Sequence, residues 1–352
     1  MTTMTDDRAR VTVGIDTHEQ VHVAAVLDEL GQMLATGSFA TTTQGHRHLE
    51  RWALGLGDID AIGIEGTGAW GAGVTRHLQA SGHRVVEVDR PDRKTRRRKG
   101  KSDTIDAEAA ARAVQAGTAT GIPKTRTGPI EAIRVLRVAR RSAVRARVQA
   151  ANQLHSLVST APAELRDQLR ELRLVELIRT AARFRPGPPS NPRQATKTAL
   201  RALAQRYQTL SAEIAVLDAQ LDALVAEVAP NLTALNGVGT DIAGQLLVTA
   251  GDNPERLRSE AAFAHLCGVA PIPASSGRTD RHRLNRGGDR AANSAIYVIV
   301  LCRLRWDLRT RAYVERRTKE GRTKNEIIRC LKRYITRDIY RELMRIPALD
   351  TP

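Results

Sequence analysis

Short apolar runs separated by polar turns mark the first third of the chain. VTVGID (11–16) reads as a compact apolar strand, VHVAAVLDELG (21–31) as its partner, and MLATGSFATTT (33–43) as a third strand after the turn at ELGQ. Short connections between such runs predict an antiparallel meander. The period then changes. GHRHLERWALGL (45–56) reads as a helix, IDAIGIEG (59–66) as a buried strand, residues 70–81 as a helix and RVVEVD (84–89) as a strand. The Ala-rich segment DTIDAEAAARAVQAG forms a last helix ending at Gly117, a residue type that readily closes helices. The order βββ, α, β, α, β, α predicts an α/β domain over residues 1–125.

The middle is helical and basic. EAIRVLRVARRSAVRARVQAANQLHSLVS (131–159) contains neither Pro nor Gly and carries many Arg, which makes it a nucleic-acid candidate as well as a solvated charged face. RPGPPSNPR (185–193) breaks it from a second long helix. There Leu200, Leu203, Tyr207, Leu210, Ile214, Leu217, Leu221, Leu224 and Val228 recur at three- and four-residue steps. Such an a/d seam serves either a helical hairpin within one chain or an intermolecular coiled coil. A helical coiled-coil region is therefore expected over 126–230.

From 231 to 352 a mainly α domain is expected. LNGVGTDIAGQLLVTAGD (235–252) looks like a helix-hairpin-helix element, in which Gly237 and Gly239 can present backbone N–H groups to a phosphate. A polar loop rich in Gly, Ser and Arg follows from 268 and leads into an apolar helix. The chain closes with a basic helix at about 322–344.

Charge narrows the partner. With 55 Lys and Arg against 38 Asp and Glu, the 352-residue chain has a formal net charge of +17. That excess favours a polyanion through phosphate neutralisation and counterion release. Aromatic residues make up only 3%, which argues against a base-stacking platform as the main binding mode. Cys267, Cys302 and Cys330 are too scattered for a zinc site or a disulfide framework and suit a reducing compartment. Neither an apolar leader nor a run of 18 apolar residues is seen, so a cytoplasmic protein with no membrane partner is expected.

The chemistry lies in four acids. Asp16 ends the first predicted strand and Glu65 the fourth, while Asp103 and Asp106 open the helix after the fifth. The last two follow a dense cationic run of Arg93, Lys94, Arg96, Arg97, Arg98, Lys99 and Lys101. Residues at i and i+3 share a helix face, where like charges repel unless a cation sits between them. If strands one and four are neighbours, all four carboxylates converge at one end of the sheet. Mg²⁺ fits such a site, because it takes oxygen ligands and bridges to substrate phosphates. Two such ions about 4 Å apart can assist both the attacking and the leaving oxygen of a phosphodiester.

The fold order resembles ribonuclease-H-like domains of the Holliday-junction-resolvase type. VGIDTHEQVHVAAVLD, GIEGTGAWG, VVEVDRPDRKTRRRKGKSDTIDAEAAARA, LNGVGTDIAGQLL and FAHLCGVAPIPASSGRTDRHRLNRGGDRAANSAIYVIV closely resemble one transposase family. It is the insertion-sequence one-ten family of DEDD transposases, also described as bridge-RNA-guided recombinases. The resemblance runs from about residue 11 to 345 and is weakest across 160–195.

By that resemblance Asp16, Glu65, Asp103 and Asp106 are the metal ligands, with two Mg²⁺ per active site (Mn²⁺ being an alternative). The family's catalytic serine, in a motif ending Ser-Gly, matches Ser276 in PIPASSGR, with Ser275 as the one-residue register alternative. The neighbouring Arg278, Arg281, Arg283 and Arg286 then hold phosphates or position the backbone. The implied partners are element-end DNA, target DNA and a non-coding bridge RNA. A dimer or tetramer is expected, because two duplexes need two active sites. Two other readings use the same residues differently. A junction-resolving nuclease with water as nucleophile needs the acids but not Ser276, and an architectural nucleic-acid-binding protein needs neither.

Overall fold

The computed structural model describes residues 8–88, 102–278 and 282–346, so the basic run 93–101 and Arg281 lie outside the described residues. The chain divides into two units. Of the described residues, one holds those up to 128 together with 251–258, and the other holds 129–250 and those from 259 to 346.

In the first unit, strands β1 (Arg10–Thr17), β2 (Val21–Leu27), β3 (Met33–Ala40), β4 (Asp58–Glu65) and β5 (Val85–Val88) form one sheet in the order β3-β2-β1-β4-β5. β1, β2 and β3 pair antiparallel, as their short connections predict, and β4 and β5 add parallel to β1. The two-residue period of a strand decides what each face meets. Val11, Val13 and Ile15 of β1 and Ile62 and Ile64 of β4 point to one face. There they form a core with Leu49 and Ala53 of α1 (Thr43–Leu54) and Val74 and Leu78 of α2 (Ala72–Ala80). Residues 12, 14 and 16, and 61, 63 and 65, point the other way, toward α3 (Asp103–Gln115).

α3 comes unusually close to the sheet. Gly14 and Gly63 are register partners on adjacent strands. A Cβ at Gly14 would lie 2.0 Å from the Ala107 carbonyl oxygen, and one at Gly63 would lie 2.7 Å from that of Ala110. The helix answers with Ala107, Ala110 and Ala111, all buried. Small residues on both surfaces let the backbones approach where larger ones would hold them apart.

Residues 251–258 belong to this first unit by their hydrogen bonds. The Asn253 amide donates to the Pro123 carbonyl, and Arg256 and Arg258 donate to those of Ile122 and Thr120.

In the second unit α4 (Pro129–Ser159) packs along α7 (Pro192–Val228). The heptad seam thus serves a hairpin within the chain. Leu200, Ile214, Leu221 and Val228 are buried, and Leu203, Tyr207, Leu210, Leu217 and Leu224 half-buried. Between them, α5 (Ala163–Leu169) and α6 (Leu174–Ala182) occupy a stretch for which the sequence reading gave no elements. They close one end of the hairpin through Leu165, Leu169, Leu177 and Ile178, packed on Leu154, Val158 and Leu200.

The Arg-rich face of α4 is partly spent on this architecture. Arg137 is buried and donates to the Asp241 carboxylate at 2.7 Å, and Arg140 pairs with Asp218 and Asp241. Arg141 and Arg145 remain exposed.

The rest of this unit is a helical cluster. α8 (Pro230–Thr233) is a single turn, followed by α9 (Thr240–Ala250) and α10 (Glu260–Leu266). A two-stranded ribbon pairs β6 (Ile272–Pro273) with β7 (His282–Arg283). Three helices then follow, α11 (Arg290–Trp306), α12 (Leu308–Lys319) and α13 (Lys324–Leu343). α13 is the hub, packing against α10, α11 and α12.

Candidate active site

The parallel pairing of β1 with β4 brings Asp16 and Glu65 to the same end of the sheet. The last register pair is Ile15↔Ile64, and the Thr17 hydroxyl donates to the Glu65 carbonyl at 2.8 Å. Period-two alternation turns both acids toward α3. That helix starts at the same end, its first turn fixed by Ser102, whose hydroxyl accepts from the Ile105 N–H. Asp106 continues the sheet-facing stripe of Ala107, Ala110 and Ala111 and is buried, whereas Asp103 lies one turn nearer solvent.

A residue outside the four-acid pattern joins them. His18 Nε2 lies 3.1 Å from Asp16 Oδ2 and 3.3 Å from Asp103 Oδ1. One ligand atom from each of Asp16, His18 and Asp103 falls within 4.8 Å of the others. Among the described residues this is the one such group, and Glu65 and Asp106 stand outside it. The signal for His18 was its place in the sequence, two residues after Asp16 and directly beyond the end of β1.

Electrostatics mark the cluster as cation-seeking. Burial pushes the Asp16 carboxyl above its usual range. His18 pulls it back, while Asp106 and Asp103 raise it further. A buried carboxylate crowded by two others gains most from a hard cation, and the donor set of carboxylates with one imidazole suits a divalent ion. The residues present therefore fit the metal that the four-acid pattern implies.

Ser276 lies in the second unit, in the segment between β6 and β7, exposed to solvent as is Ser275. Gly277 follows at φ +55°, in the left-handed region that favours glycine, and among the described residues no atom lies within 4 Å of where its Cβ would be. The serine thus sits on a sharp, open turn. Arg278, Arg283 and Arg286, which follow it in the sequence, are exposed.

At Gly237, with φ +82°, a Cβ would come 3.2 Å from Cys302 Cβ and 3.3 Å from Ile299 Cγ2, and Gly239 immediately precedes α9. The helix before this turn is the four-residue α8, shorter than the paired helices the sequence reading expected.

Known proteins resemble the chain in both units. The family model for DEDD transposases of IS110 elements, described as "Transposase", matches residues 13–161. The one described as "Transposase IS116/IS110/IS902 family" matches residues 229–315. An insertion element IS110 uncharacterized 43.6 kDa protein of Streptomyces coelicolor is 32% identical over 136 residues, 38% of this chain and 33% of that protein. An insertion element IS900 uncharacterized 42 kDa protein of Mycobacterium paratuberculosis is 27% identical over 146 residues, 40% of this chain and 36% of its own length. The chain thus aligns with about a third of the length of these curated relatives.

Proposed function

The chain belongs to the IS110 family of transposases, and from that premise we propose that it cuts and rejoins DNA through a Ser276 nucleophile working with a divalent-metal site built by the four acids. One observation carries this reading. Asp16, His18 and Asp103 converge, with Asp106 buried beside them, at the end of the sheet where β1 and β4 deliver Asp16 and Glu65. A ribonuclease-H-like assignment of this unit is supported by its strand order and by the family match.

Asp16, Glu65, Asp103 and Asp106 would hold Mg²⁺ or Mn²⁺, with His18 as a further donor. A bound ion of this kind supplies Lewis-acid stabilisation of charge on a phosphodiester oxygen. The acids' own task is to fix that charge at one end of the central strands β1 and β4. Thr17 supports this by tying the end of β1 to the Glu65 carbonyl.

Ser276 Oγ attacks phosphorus, losing its proton as the Oγ–P bond forms. The bond from phosphorus to one sugar oxygen breaks, and that oxygen leaves with a proton. The resulting phosphoserine conserves a phosphodiester's energy, so a second DNA hydroxyl can reverse the step on a new partner. Arg278, Arg283 and Arg286 are suited to holding phosphates near the serine. Acids and serine must meet on one phosphodiester, within one chain or between two. A non-coding bridge RNA that pairs with element-end and target DNA, and a dimeric or tetrameric assembly, complete the proposal.

The test is a strand-exchange assay with the purified full chain, RNA from the flanking non-coding region and labelled element-junction DNA. Rejoined products are expected with Mg²⁺, and none with EDTA, Asp103→Ala or Ser276→Ala. Free cut ends that persist in Ser276→Ala but need Asp103 would replace this reading with a water-using nuclease.

A further inference from the structure

The second unit contains a cavity of about 720 Å³, walled by residues 268–271, by 282–287 and by the facing sides of α11 and α13. One wall is β7, the strand whose pairing with β6 presents the Ser276 turn. Its lining is one-sided in charge. Arg283, Arg286, Arg290, Arg329 and Lys332 all face it, and among the described residues no carboxylate lines it. Among the described residues none of these five has an acid within ion-pair distance, whereas Arg333 and Arg337, also on the wall, are paired with Glu260.

Lys332 is the telling member. It is half-buried, and burial lowers its pKa with no acid to offset the cost. Its Nζ donates to Asn293 Oδ1 at 2.6 Å and sits 5.2 Å from the Tyr297 ring centroid. Asn293 is locked in that orientation, because its amide donates to the Cys267 and Gly268 carbonyls. Partly buried charges are normally matched by an opposite charge, so this one is prepared for an anion brought from outside.

The aromatic content of the wall narrows the anion. Of the chain's five Tyr, Tyr297 and Tyr334 line this cavity and keep 39% and 48% of their surfaces exposed. Tyr334 is braced edge-on by Tyr313 and covered by Arg337. A ligand with phosphates for the cations and flat rings for the tyrosines is a nucleic-acid strand with unpaired bases. The volume lies within the roughly 300–1,000 Å³ that holds small ligands, which suits an unpaired nucleotide and not a duplex.

The geometry points to this cavity as a site for single-stranded nucleic acid, with a phosphate on Lys332 and a base against Tyr297. Its wall β7 pairs with β6, the strand that leads to Ser276, which gives it a part in the strand exchange proposed above, and to that extent it rests on that reading. Binding itself requires neither the acids nor the serine.

The experiment uses the full chain in EDTA, which withholds the metal that the proposed cleavage needs. The probe is a short single-stranded DNA carrying one 2-aminopurine, run beside its RNA counterpart and a hairpin duplex. Wild type is expected to bind the single strand and quench its fluorescence, and to leave the duplex unquenched. Lys332→Met should weaken single-strand binding about tenfold, the scale of a lost charge-assisted contact, while Lys332→Arg largely keeps it. Tyr297→Leu should lose the quench with a smaller loss of affinity. A preference for the DNA or the RNA probe identifies the strand, and either upholds the site. The inference is overturned if both variants bind and quench like wild type, if the duplex is quenched equally, or if a polyglutamate peptide displaces the probe as well as unlabelled oligonucleotide does. None of those results bears on the strand-exchange assay.

Discussion

At the residue scale, Asp16 sits where its surroundings disfavour its negative charge, a cost that a bound cation would offset. Its carboxyl is held above its usual range by burial and by Asp106 and Asp103. The unfolded chain therefore ionises Asp16 at lower pH than the folded one does, and ionisation opposes folding at neutral pH when no metal is bound. Asp16→Asn is expected to raise the melting temperature in EDTA and to remove the gain that Mg²⁺ gives wild type. That gain should be a few degrees, since ligand at about 100 times its Kd adds about 2.7 kcal/mol. A melting curve with and without Mg²⁺ reads both effects.

His22 presents the opposite case. It is fully buried on β2, stacked on His46 with ring centroids 5.6 Å apart, and neither of its ring nitrogens has a partner among the described residues. Burial drives its pKa down to about 4, with His46 and His18 adding to the effect. Between its ordinary value and about 4 the unfolded state is protonated and the folded state is not, so stability falls as pH drops through that window. The expected loss is about 3 kcal/mol, read by urea unfolding at pH 7 and pH 4. His22→Phe should flatten that pH dependence, and an unchanged slope would remove the assignment.

At the element scale, the pairing of Gly14 with Gly63 sets where Asp103 and Asp106 stand. Gly14→Ala puts a Cβ 2.0 Å from the Ala107 carbonyl and 2.4 Å from the Ala111 nitrogen, both backbone atoms that cannot swing aside. α3 must lift, carrying the two aspartates with it. The expected outcome is a loss of stability of about 1–3 kcal/mol together with loss of the Mg²⁺-dependent melting shift, although no acid has changed. A variant that unfolds earlier but keeps the full shift would show that the helix tolerates displacement.

Elements also mark where sequence reading succeeds. Strands β1, β2 and β4 were legible because they bury one face or both, leaving period-two or continuous apolar runs. Asp16 and Glu65 fell at strand ends for the same reason. His18 escaped because it lies just past β1, where the apolar pattern that draws attention has stopped. The burial of Arg137 was not legible at all, since its partner Asp241 is 104 residues away and only tertiary packing joins them. Heptads in α7 foretold a seam but not its occupant, because one chain and two chains satisfy the same spacing.

At the scale of the whole molecule, charge is distributed by role. Part of the +17 surplus is spent within the fold, as at Arg137 and Arg140, and part is left open at the exposed Arg278 and along the cavity lined by Arg283, Arg286, Arg290, Arg329 and Lys332. Binding to nucleic acid is therefore expected to keep most of its salt dependence in Arg137→Met, whose guanidinium is already committed, and to lose part of it when Arg283 and Arg286 are both changed to Gln. The slope of log affinity against log salt measures this, at roughly one unit per lost phosphate contact. Among the described residues no helix is long and apolar enough to cross a membrane.

The central claim is that a serine in one unit performs chemistry supported by acids in the other. The most direct measurement denatures the reaction of the full chain with Mg²⁺, guide RNA and labelled junction DNA, then identifies the DNA-linked peptide by mass spectrometry. The account predicts a covalent adduct mapped to Ser276 and absent in Asp103→Ala. An adduct on another residue, or cleaved DNA with no adduct at all, would contradict it.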